Sequence, residues 1–205
     1  MNSRPIMDAG PGLNFFSVNK ERLLFKVLGP LCIPTSVEEE ILRKARTDRR
    51  FSAAGTVVKK LPDKYLKILP DTATDELVQV VERISGTTFH QRLDMSRDLG
   101  ETMVIAHAVV AAEAGADITV LIDERGGRKI AGAEQKRLVR LKGQGQNVGN
   151  LSLVNTETVL KAAVTRKHIA DKAELQDLYR RLRELDDGLV PIGDTDLLAA
   201  NLWQR

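Results

Sequence analysis

Carboxylates stand at the ends of several elements of this sequence: Asp8, the run Glu38 to Glu40, the pair Asp98 and Glu101, and Asp123. Asp8 closes the short apolar segment 4–8, and Asp123 closes the apolar run 118-ITVLI-122. In an open α/β sheet the carboxyl ends of the strands are where ligands bind. Each residue also has a plainer reading. Asp8 can serve a turn by accepting from the amides of Gly10 or Gly12. Asp98 and Glu101 fit a capping box, and Asp123 fits the cap of the helix that follows it. On the helix after Pro34, Glu38 falls inside the apolar arc of Val37, Ile41, Leu42 and Ala45, Glu39 on the far side and Glu40 on its flank. All three also suit the first helical turn, where the helix dipole favours acids. Glu101 heads a stripe with Val104, Ile105 and Ala108, which points it toward the edge of the core.

Carboxylates brought together without partners repel, and a cation relieves them. A set of oxygen ligands suits Mg²⁺ or Mn²⁺. His90, His107, His168 and the single Cys32 have no metal-ligand spacing, which argues against a zinc site.

The elements that would carry these residues alternate. Helices are expected over 20–28, 37–48, 74–85, 99–115, 125–140, 157–167 and 171–185, and strands over 4–8, 31–33, 65–69, 118–122 and 151–154. Residues 49–62 read as a loop or insertion, 86–95 as a connection, 143–150 as a turn, and the end of the chain as extended. Alternation of this kind predicts an α/β fold with a parallel sheet covered on both faces.

With 205 residues the chain is long enough for one good-sized domain without staples. The lone cysteine excludes an internal disulfide. The start has no signal-peptide pattern, and the apolar stretch 102–116 is too short to span a bilayer and is broken by His107 and Glu113. A cytoplasmic protein with no membrane contact is expected. The net charge is only +3, but it is unevenly distributed. Nine Lys or Arg fall in 43–67 against two Asp, and seven in 125–142 against Glu134. Such density suits a phosphate backbone, although a solvated helix face has the same look.

The stretches 6-IMDAGPGLNFF-16, 31-LCIPTSVEEEIL-42, 98-DLGETMVIAHA-108 and 119-TVLIDERGGRKIAG-132 resemble, in order and spacing, the PIN-domain family and its VapC-like branch. A weaker echo lies in 153-LVNTETVLKAAV-164. The resemblance implies a PIN-like three-layer α/β/α domain over residues 1–165, with a helical C-terminal extension over 166–205. It implies a Mg²⁺- or Mn²⁺-dependent endoribonuclease, with RNA as substrate and an antitoxin protein or a second copy of the chain as partner. Carried across residue by residue, it assigns Asp8, Glu40, Glu101 and Asp123 to metal and catalysis. Glu40 is selected over Glu38 because the family's second acid directly precedes an aliphatic residue, here Ile41. Arg128 and Lys129 would lie near the scissile strand. Two departures stand out: Ala9 and Gly10 replace the Thr-Ser pair usual after the first aspartate, and residues 165–205 exceed the usual length.

A haloacid-dehalogenase phosphatase also places an aspartate after its first strand, but it needs a second one two residues on, where Gly10 stands. A catalytically degenerate fold that only binds RNA or protein is the alternative from another class.

Overall fold

In a computed structural model, which describes residues 3–204, five parallel strands form one sheet in the order β3-β2-β1-β4-β5. The strands are β1 (Ile6–Met7), β2 (Leu31–Pro34), β3 (Leu66–Leu69), β4 (Ile118–Leu121) and β5 (Leu151–Val154). β1 is central, with Ile6 opposite Cys32 on one side and Val120 on the other. Helices cover the sheet, giving the three-layer α/β/α architecture that the alternation of elements predicts and that is consistent with a PIN-like arrangement. The strand order reverses at β1, so the crevice at its carboxyl end lies at a topological switch point.

The helices are α1 (Ala9–Ser17), α2 (Glu21–Leu28), α3 (Thr35–Thr47), α4 (Ser52–Lys60), α5 (Asp75–Ser85), α6 (Phe89–Asp94), α7 (Leu99–Glu113), α8 (Arg125–Gly143), α9 (Thr156–Thr165) and α10 (Lys172–Leu185). A short α11 (Ala200–Trp203) follows. α7 meets β1, β2, β4 and β5 as well as α3, α5 and α8. That surround explains why its alanine-rich sequence is buried on nearly every side, including Met103, Val104, Ile105 and Ala106. Among the described residues, no helix is long and apolar enough to cross a membrane.

Several local expectations give way. Residues 52–60 form α4, not a loop. Phe51, Ala54, Gly55 and Val58 are buried at helical spacing, but two of the four are so small that the stripe is faint in sequence. A Cβ at Gly55 would lie 2.7 Å from that of Ala45, so glycine lets α4 pack closely against α3. Residues 89–94 are also helical, started by a capping box between Thr88 and Gln91. α1 begins directly after Asp8 and tolerates Pro11 in its first turn, where a turn was expected. The chain end folds into short helical turns and α11 instead of extending.

Far from the crevice, Arg83 of α5 pairs with Glu113 of α7 at 3.0 Å and with Glu134 of α8 at 3.1 Å. Arg137 of α8 joins the same two carboxylates. This network ties three helices together.

Candidate metal centre

β1 ends at Met7 and α1 starts at Ala9, so Asp8 is pinned between a central strand and a helix N-terminus. It is only 4 % exposed, and its side chain makes no capping bond to α1. The turn or cap role thus lacks its hydrogen bond. Burial pushes its carboxyl up to about 7, and Glu40, Glu101 and Glu124 push the same way, opposed only by the Ala9 amide.

Glu40 comes from the flank of α3. It lines the same cavity as Asp8, whereas Glu38 does not. Lys44, one turn on, approaches it at 3.4 Å. Its Oε2 lies against Gly100 in the first turn of α7.

Glu101 enters from α7. The expected capping box is absent: Asp98 has a left-handed backbone at φ 55 and makes no side-chain cap, while its carbonyl accepts from Thr102 Oγ1 at 2.9 Å. Glu101 is therefore released from the cap and turned to the cavity. Its Oε1 is buried with no hydrogen-bond partner. Burial and the charges of Glu124 and Asp98 push this carboxyl up to about 7, with the Gly127 amide and Arg92 acting in the opposite direction.

Arg92, itself buried, donates to Thr102 Oγ1 and to the carbonyls of Met95 and Arg97. It thereby sets the loop that brings Arg97 and Asp98 to the rim. Sequence reasoning missed it, because a buried arginine in a short connection carries no periodic signal.

The strand end after β4 delivers two acids to different places. Glu124 lines the cavity with Asp8 and Glu101. Carboxylate oxygens of Asp98, Glu101 and Glu124 lie within 4.8 Å of one another. Asp123 instead accepts from the backbone amide of Thr156 at 2.8 Å and from its Oγ1 at 2.6 Å, which fixes the start of α9. Burial raises the Asp123 carboxyl, the Thr156 bonds oppose that, and Asp186 adds to it. Asp123 lines a second cavity, of about 610 Å³, which joins the first, of about 490 Å³, through Gly10, Lys44 and Glu124. Arg128 reaches the Ile122 carbonyl at 3.4 Å and, like the exposed Lys129, lines neither cavity. The basic residues at the rims are Arg43, Lys44, Arg97 and Arg125.

The donors fit a hard divalent cation. All are oxygens, burial pushes two of the carboxyls up to about 7, and the buried Glu101 Oε1 makes no hydrogen bond of normal geometry. Glu124→Gln is expected to reduce the upward melting shift that Mn²⁺ gives. Asp123→Asn is expected to lower stability by roughly 1–3 kcal/mol through its bonds to Thr156 and to leave that shift intact. Melts with and without Mn²⁺ separate the two; a reduced shift in Asp123→Asn alone would return Asp123 to the metal.

No family model matches this sequence, and neither a curated protein nor a solved structure matches it.

Proposed function

We propose that the protein is a divalent-metal-dependent endoribonuclease of PIN-like character. The observation that carries this reading is the carboxylate cluster at the carboxyl end of the central strand, in which Asp8 and Glu101 are buried, one Glu101 oxygen is unpartnered, and the exposed Glu124 stands at the rim. Asp8, Glu101 and Glu124 would hold Mg²⁺ or Mn²⁺, with Glu40 and Asp98 beside them and Asp123 bracing the adjoining wall. A bound ion of this type polarises a phosphodiester and lowers the pKa of water. The chain's own contribution is placement. Burial of Asp8 and Glu101 makes their charged forms costly, and their mutual repulsion when no cation is present favours the loaded state.

The rim arginines and Lys44 suit the phosphates of an RNA strand. Replacing Arg43 and Arg97 by Ala is expected to flatten the log–log salt dependence of RNA binding by roughly 0.7 for each single-strand phosphate that these side chains neutralise. An unchanged slope would make these charges a solvated face. The same resemblance that suggests RNA cleavage suggests a toxin role in the cytoplasm, with an antitoxin partner or a homodimer. Cleavage of RNA by the purified protein with Mn²⁺, and its loss in excess chelator, tests the activity. Undiminished cleavage in chelator would overturn the reading, and RNA binding without cleavage or metal dependence would favour a binding module.

A further inference from the structure

Asn14 is 2 % exposed on α1, among Leu13, Phe15 and Phe16. A buried amide in such surroundings is destabilising unless it is bonded. Its Nδ2 donates to Asp186 Oδ2 at 2.7 Å, although the two residues lie 172 positions apart in the chain. The Gly188 amide donates to the other oxygen of Asp186 at 2.9 Å, so the carboxylate is held on both sides. Two further contacts dock the C-terminal segment on the same region. Arg181 donates to the Val18 carbonyl at 3.3 Å, and Glu174 lies 3.6 Å from Lys20.

The loop that Asp186 anchors lines the second cavity, together with Asp123, Glu124 and Lys44 of α3. Because Gly10, Lys44 and Glu124 also line the acid-rich cavity, the two form one groove. The C-terminal segment is thus part of the groove's wall. A carboxylate fixed there repels a phosphate backbone and so limits how closely a strand can approach that side.

We propose that Asp186 is a substrate-positioning residue: held by Asn14, it makes the C-terminal segment one wall of the RNA groove and keeps the phosphate backbone off that wall. The assignment rests on the ribonuclease reading above. It separates two properties of one side chain, its bond to Asn14 and its charge, and the two predict opposite effects.

The test is fluorescence anisotropy of a single-stranded oligoribonucleotide on the full chain, with Ca²⁺ replacing Mn²⁺ so that binding is read without turnover. Mn²⁺-induced melting shifts are measured in parallel. Asn14→Leu keeps the volume but removes the bond that holds the wall, and is expected to weaken RNA binding at least about tenfold, the lower end of a charge-assisted hydrogen bond. Asp186→Asn keeps an oxygen for Asn14 and Gly188 but removes the charge. It is expected to tighten binding about threefold, the size of one carboxylate–phosphate repulsion across ~7 Å of water. The Mn²⁺ shift is expected to stay at the wild-type value in both. Should Asn14→Leu fail to fold, Asp186→Asn alone decides through the sign of its effect. Unchanged or weakened binding in Asp186→Asn overturns the proposal, and so does a reduced Mn²⁺ shift, which would make Asp186 part of the metal centre. Wild-type protein that binds the oligonucleotide but never cleaves it with Mn²⁺ removes the nuclease reading and leaves the groove. Wild-type protein that binds no RNA removes both.

Discussion

Replacing Asp8 by asparagine is expected to raise the melting temperature of the metal-free protein at pH 8 by roughly 4–8 °C and to abolish Mn²⁺-dependent cleavage. The Asp8 carboxyl is raised from 3.8 to about 7, so ionising it in the folded state at pH 8 costs on the order of 4 kcal/mol relative to the unfolded chain. Asparagine has nearly the same volume and cannot ionise, but its amide is still desolvated, so roughly half of that amount should be recovered. The sign follows from proton binding. Between pH 4 and 7 the folded state holds a proton that the unfolded state has released, so stability falls as pH rises. The penalty is absent below the unfolded pKa and complete above about 7. Mutant and wild type should therefore melt together near pH 4 and diverge toward pH 8. Glu101, also raised to about 7, weakens the metal-free protein in the same window. With Mn²⁺ the order reverses. At a hundredfold excess over its dissociation constant a ligand stabilises by about 2.7 kcal/mol, and the mutant, short of one donor, should gain less. Equal Mn²⁺ shifts in the two proteins would remove Asp8 from the site.

Gly127→Ala is expected to eliminate both cleavage and the Mn²⁺ melting shift, although residue 127 is not a ligand. A Cβ there would lie 2.2 Å from Glu101 Oε1, 2.6 Å from its Cγ and 2.4 Å from Ile122 Cδ1. Both contacts are too short to keep, so Glu101 must move together with the fully buried Ile122, or α8 must shift away from them. Overpacking of this kind is destabilising by roughly 1–3 kcal/mol. The better helix propensity of alanine offsets about 1 kcal/mol of that. Gly132→Ala serves as the control on the same helix, since a Cβ there meets nothing within 4 Å. It is expected to stabilise by about 0.5–1 kcal/mol and leave activity unchanged. Wild-type Mn²⁺ shifts in Gly127→Ala would show that Glu101 can hold its place without this close approach.

The sheet was legible in the sequence because runs such as Leu31–Ile33 and Ile118–Ile122 are apolar throughout, as strands buried on both faces must be. Asp8, Glu40 and Glu101 were legible as candidates because each stands at the end or on the flank of an apolar pattern. Glu124 was hidden by its neighbour. Successive side chains of an extended segment point to opposite sides, and periodicity does not say whether Asp123 or Glu124 faces the cavity. In the structure Glu124 lines the acid-rich cavity, while Asp123 bonds to Thr156 and lines the adjoining one. α4 was missed because Ala54 and Gly55 bury well but contribute little apolar pattern. The part played by Asp186 depends on a pairing across 172 positions, which no local pattern encodes.

The Arg83, Glu113, Glu134 and Arg137 network has a kinetic consequence. It clamps α7 and α8 away from the crevice, while Glu101 and Glu124 sit at the crevice ends of those two helices. The two helices should therefore open to solvent as one unit, with amide hydrogens that exchange only near the rate of global unfolding. The loop of Ser96 to Asp98, which is exposed and held largely through Arg92, should exchange orders of magnitude faster. Any breathing that admits a strand to the carboxylates would then come from this loop, moving against a pair of helices that stay still.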